Sequence, residues 1–140
     1  MNAYLVSSAA SRDLLEGESG REGRGILQKA THVATSRVTL AEVGRVLARL
    51  RVLDAPSAAR VGSREAEWLS DSELWFVHPI DEEVLARCAR PFPVEPVRLL
   101  DAIHLATVER LAGALPGLAV TSTDDRVRRN AAALGFAVAP

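Results

Sequence analysis

The chain has 140 residues, 48% of them hydrophobic and 25% charged, which is the size and balance of one globular domain with its own core and excludes a disordered or fibrous protein. No stretch approaches the roughly 18 to 20 apolar residues of a membrane span, and the start lacks a basic region followed by an apolar core, so a cytoplasmic protein without membrane contact is expected. The net charge of −1 supplies no global field for nucleic acid, so any RNA site has to be local.

Read in order, apolar and helical patterns alternate as βα units, and the whole of 1–140 is expected to form a single domain. Residues 3–6 read as a short buried strand, after which Ser7 and Ser8 offer an N-cap to a helix reaching about Glu16. The glycine-rich piece 17–25 loosens the chain before a second helix over 25–30. A strand is expected over 32–36. An amphipathic helix over 40–50 follows, with Leu40, Val43, Val46, Leu47 and Leu50 at helical spacing. Pro56 suits the first turn of a further helix that continues through Leu69. Residues 74–80 are rich in strand formers, and Asp81 caps a helix over 82–89. Three prolines in 91–96 force an extended connection. A helix over 98–112, a strand over 118–121, a helix over 125–134 and an edge strand over 136–138 complete the pattern. The expected fold class is α/β: a three-layer α/β/α sandwich on a central, mainly parallel sheet of about five short strands, with sites beyond the carboxyl ends of the strands.

Three carboxylates fall where such a sheet brings its strand ends together. Glu42 has a plain structural reading, because Thr39-Leu-Ala-Glu42 fits a capping box. Asp124 also reads as an N-cap, with Asp125 favoured in the first turn of the helix that follows. Asp101 is harder to explain structurally. It sits in Leu99-Leu-Asp-Ala-Ile-His-Leu-Ala106, an otherwise apolar run that looks buried, and a buried carboxylate needs a partner, a proton or a metal. Clustered carboxylates are tolerated chiefly around a hard divalent cation, Mg²⁺ or Mn²⁺, which takes oxygen ligands. Such an ion activates water for phosphodiester hydrolysis.

Other chemistries lack their motifs: there is no GxSxG, GxxxxGK[ST], HExxH or GxGxxG. His32, His78 and His104 show no metal-ligand spacing. His104 lies one turn from Asp101, as a candidate hydrogen-bond partner with a supporting role. The single cysteine, Cys88, can form neither an internal disulfide nor a zinc knuckle and reads as a small buried filler. Arg126 and Arg37 are candidate phosphate contacts or solvated surface charges.

Over essentially its whole length the chain resembles the PIN-domain ribonucleases of VapC type. Four segments carry the likeness: Ala3-Tyr-Leu-Val-Ser-Ser-Ala9, Ala34 to Val43 with Glu42, Leu100-Asp-Ala-Ile-His-Leu-Ala-Thr107 with Asp101, and Val120-Thr-Ser-Thr-Asp-Asp-Arg-Val127 with Asp124. The resemblance implies a metal-dependent endoribonuclease with Glu42, Asp101 and Asp124 as catalytic metal ligands, supported by Ser8, Thr121, Asp125 and Arg126. It further implies RNA as substrate (tRNA or rRNA among the options), a VapB-like antitoxin as partner, and a homodimer. Position 6 departs from the pattern, since the family's Asp is Val6 here and a Val side chain binds no cation. Weak metal affinity and impaired cleavage are therefore expected. Two origins stay open, an acquired loss in an active toxin or a degenerate PIN-like module kept for antitoxin binding or self-association. The helix pairs Leu14-Leu15 and Leu47-Leu50 are candidates for such contacts, or simply for core packing.

Overall fold

Five strands frame the computed structural model, which describes residues 1–16 and 21–139: β1 (Asn2–Leu5), β2 (His32–Ser36), β3 (Phe76–His78), β4 (Leu118–Thr121) and β5 (Ala137–Ala139). They form one sheet in the order β3-β2-β1-β4-β5, and every pairing is parallel. Parallel neighbours require crossovers, supplied by α1 (Ser7–Glu16), α2 (Arg21–Lys29), α3 (Arg37–Leu53), α4 (Ala55–Ser72), α5 (Glu82–Cys88), α6 (Leu99–Leu111) and α7 (Asp125–Ala133). The chain steps from β1 through β2 to β3 toward one edge, and from β4 to β5 toward the other. Right-handed crossovers then put the helices of the two halves on opposite faces.

Two buried clusters result. One contains Tyr4, Val6, Val84, Ile103, Leu105 and Val127. The other contains Leu5, Ala9, Leu14, Val43, Leu47 and Trp68. Tyr4 and Leu5 face opposite clusters because successive side chains of a strand alternate. This is the expected α/β/α sandwich, with a wholly parallel sheet.

The caps explain most boundary differences. α3 starts three residues earlier than its apolar stripe suggests, because Ser36, in extended backbone, accepts from the Val38 amide at 3.2 Å. The capping box at Thr39 is thereby overturned. Thr39 lies inside the helix, fully buried, with its hydroxyl 2.8 Å from that of Thr35. α4 is capped by Asp54, which accepts from the Ser57 amide at 3.1 Å, with Pro56 in the first turn. Asp81 caps α5 through the Val84 amide at 2.9 Å, as expected. The proline-rich connection is non-helical, and Asn130 clamps it with two 2.9 Å bonds to the backbone of Val94. Gly135, at φ +89°, ends α7 in a left-handed turn that favours glycine.

The glycine-rich expectation over 17–25 falls partly outside the described residues, and α2 begins at Arg21 rather than near Gly25. Leu14 and Leu47 are core residues and Leu50 packs against them, whereas Leu15 is exposed. Cys88 is partly buried against the first cluster. Among the described residues, no helix is long and apolar enough to cross a membrane.

Candidate active site

The strand order reverses at β1, so the crevice beyond the carboxyl ends of β1 and β4 is where a site belongs in a sheet of this kind. β1 and β4 end together, with Leu5 opposite Thr121, and the Val6 amide continues the ladder to the Thr121 carbonyl at 3.0 Å. Just beyond, Ser8 binds the chain on the other side of the crevice. Its hydroxyl is 3.1 Å from Ser122 Oγ and accepts from the Thr123 amide at 3.1 Å. Ser122 in turn accepts from the Asp124 amide at 3.1 Å. Ser8 thus fixes the loop that presents Asp124. Sequence reasoning passed over Ser122, although hydroxyls two positions before an acidic cap are a common local bonding pattern.

Asp124 does cap α7, accepting from the amides of Arg126 at 2.8 Å and Val127 at 3.2 Å. Both bonds fall on Oδ1, so the cap does not use Oδ2, and an N-cap role is compatible with a ligand role. Asp101 occupies the first turn of α6 and is half-buried. Burial, reinforced by the charge of Asp124, pushes its carboxyl above the ordinary range, while Arg126 and Arg98 pull the other way. The two aspartates therefore feel each other's field. Leu99 and Leu100 beside Asp101 are exposed, 65% and 42%, which corrects the expectation that this run is buried throughout.

Glu42 serves no cap. Its Oε2 lies 3.3 Å from His104 Nε2. Burial alone would raise its carboxyl, but hydrogen bonds from His104 and Ser7 hold it below the ordinary range. The suggested Asp101–His104 hydrogen bond gives way to this one: both His104 nitrogens are engaged, by Tyr4 on one side and by Ser7 and Glu42 on the other. A histidine three residues after a carboxylate shares its helix face, but the rotamer that fills the core points it toward β1 and α3.

The supporting residues divide. Thr121 is fully buried, and its hydroxyl has no partner among the described residues. Arg126 is half-buried with its charge felt at Asp101. Asp125 is exposed and sits 3.6 Å from Arg129 in an i,i+4 surface pair. Arg37 is exposed. Val6 is 2% exposed and belongs to the core. Asp101 thus feels both Asp124 and His104, and Glu42 meets His104, without the three carboxylates closing into a coordination sphere. Among the described residues, no three His, Cys, Asp or Glu side chains could together hold an ion. Two mutually repelling aspartates fit a hard ion that retains most of its water. They do not make a closed cage.

A second feature lies elsewhere. A groove of about 920 Å³ between α1, α4 and the sheet is lined by Ala9, Leu27, Trp68 and Trp75, and none of the three carboxylates lines it.

A parallel α/β/α sandwich with acidic side chains at its switch point defines the class as an open-sheet α/β domain with its ligand crevice beyond the strand ends. The family model of the PIN domain matches residues 3–133. The chain belongs to the PIN-domain family, among its VapC-type members. Ribonuclease VapC46 of Mycobacterium tuberculosis (strain ATCC 25618 / H37Rv) is 36% identical over 135 residues, spanning 96% of this chain and 94% of that protein. Similar solved structures include FitAcB from Neisseria gonorrhoeae, with TM-score 0.72 at 21% identity, covering 99% of this chain and 96% of that one. VapC20 of Mycobacterium tuberculosis, described as a sarcin-ricin loop cleaving toxin, gives 0.65 at 15% identity and covers 99% of both chains. VapBC2 from Rickettsia felis, bound to a DNA fragment from its promoter, gives 0.65 at 12% identity, covering 99% of this chain and 97% of that one. At these identities the structural likenesses speak to the fold.

Proposed function

We propose that the chain is a VapC-like toxin, an endoribonuclease that depends on Mg²⁺ or Mn²⁺ and is impaired by Val6. The observation that carries this reading is the placing of a half-buried Asp101 at the head of α6 within the field of Asp124, which follows β4. The 36% identity to a protein named a ribonuclease supports the same reading.

Asp101 and Asp124 would hold the ion, with Glu42 closing the acidic rim from α3. When bound, the ion activates water and offsets charge developing on the phosphodiester. Ser8 and Ser122 hold the Asp124 loop against the end of β1. Arg126 is the cation best placed to meet a phosphate beside Asp101. RNA is the substrate, with tRNA and rRNA as the candidate classes. The VapBC2 complex among the structural relatives supports a VapB-like antitoxin as partner. A homodimer working in the cytoplasm completes the reading.

A second reading, a PIN-like module kept for binding, draws support from Val6 lying in the core. Cleavage of an RNA panel in Mn²⁺, before and after Val6→Asp, separates the two. The toxin reading expects weak cleavage that rises steeply on substitution. Absence of cleavage in both proteins favours the module.

A further inference from the structure

We propose that Tyr4 and His104 are positioning residues, which fix the Glu42 carboxylate at the site through a one-way chain of hydrogen bonds from Tyr4 to His104 to Glu42. The inference rests on the reading of Glu42 as a site carboxylate. Tyr4 and His104 are 0% and 1% exposed and meet edge to face, ring centroids 6.0 Å apart. His104 Nδ1 is 3.1 Å from the Tyr4 hydroxyl, and Nε2 is 3.2 Å from Ser7 Oγ and 3.3 Å from Glu42 Oε2.

The direction of the chain follows from what each group can donate. An ionised carboxylate only accepts, so the proton of the ring sits on Nε2. In the neutral ring Nδ1 then accepts, and Tyr4 must donate to it; burial keeps the phenol protonated. The Tyr4 oxygen is flanked by the hydroxyls of Thr107 and Ser36.

Tyr4 lies on β1, His104 on α6 and Glu42 on α3. The two bonds therefore tie β1 and α6 to the helix that carries Glu42. Glu42 has few ways to turn while those bonds hold. Outer partners that orient a ligand in this way commonly change metal affinity by about 10- to 100-fold when removed.

The test compares His104→Leu, which keeps volume but removes the donor, with His104→Gln, which retains an amide donor. Mn²⁺ affinity is read from the paramagnetic resonance of the free ion, with circular dichroism as the control for folding. His104→Leu is expected to bind Mn²⁺ about 10-fold more weakly than the parent, and His104→Gln to stay close to it. Equal affinity in the parent and His104→Leu, or a Gln variant no better than Leu, overturns the proposal.

A metal-free measurement stands beside this one. Long-range nitrogen–proton spectra of the His104 ring in the intact chain are expected to show the proton on Nε2. Tyr4→Phe should move the Nδ1 resonance while leaving that tautomer in place. A proton on Nδ1 in the parent, or an Nδ1 resonance indifferent to Tyr4→Phe, sinks the relay even if the His104 variants do not fold. If the parent neither binds Mn²⁺ nor cleaves RNA while the ring shows the expected tautomer, the nuclease reading fails and the relay survives.

Discussion

Val6→Asp probes the site most sharply, because it places a carboxyl on a core position just past the end of β1, where the ladder to β4 closes. Val6 is 2% exposed, so the substitution gives up most of a buried valine side chain, about 1.5 to 3 kcal/mol. The new carboxyl has few ways to ionise without a cation. Remaining protonated at pH 7, against an ordinary value near 3.9, costs up to about 4 kcal/mol. Partial water access lowers that ceiling, so the expected destabilisation is about 2 to 6 kcal/mol in chelator, a large share of the roughly 5 to 15 kcal/mol of a typical domain. Mn²⁺ should return part of it, about 2.7 kcal/mol at a concentration 100 times the dissociation constant. Urea unfolding followed by circular dichroism, in chelator and in Mn²⁺, measures both quantities. Unchanged stability in chelator would contradict the burial argument. A variant that loses stability yet gains no more from Mn²⁺ than the parent would refute the metal site.

The remaining expectations concern the three carboxylates. Asp124→Ala should lower stability by about 1 kcal/mol through loss of the cap, whereas Asp124→Asn keeps an accepting oxygen and should leave unfolding nearly unchanged while weakening Mn²⁺ binding. Asp101→Asn should raise stability at neutral pH in chelator, since burial and then the Asp124 charge disfavour the ionised form. The sign follows from linkage: a carboxyl raised on folding favours the native state below its unfolded value, and that contribution is lost as pH rises through the folded one. The parent's stability should therefore fall across that window, and Asp101→Asn should flatten the fall. Glu42 behaves oppositely. Its depressed carboxyl contributes stability above its unfolded value, lost as pH falls through the folded one, so Glu42→Gln should remove an acid-side decline in the unfolding midpoint.

How much of this was legible in the chain depended on whether a residue's role is local. Asp81, Pro56 and the prolines of 91–96 act within a few residues, and their elements appear where the sequence put them. The cap of α3 was misplaced because Ser36 and Thr39 both satisfy local rules. Which one caps depends on β2 running to Ser36 and on Thr39 being drawn to Thr35 in the core. Glu42 and Asp101 could be singled out by type and surroundings, but their partners could not. The bond from Glu42 to His104 spans 62 positions and that from Tyr4 to His104 spans 100, and nothing within the local sequence encodes contacts of that separation. One signal was available: Asp101, His104 and Thr107 recur every three residues, a polar line along an otherwise apolar helix, and such a line in a buried helix needs a polar neighbour.

A divalent ion between Asp101 and Asp124, with Glu42 at its margin, is the centre of the proposed site. Mn²⁺ relaxation of assigned backbone amides tests that directly, since the ion broadens nearby resonances first. Substoichiometric Mn²⁺ should erase signals around Ser8, Glu42, Asp101 and Ser122 to Asp125 before any others, more strongly after Val6→Asp. Uniform broadening, or broadening centred on the acidic residues of α4, would contradict it.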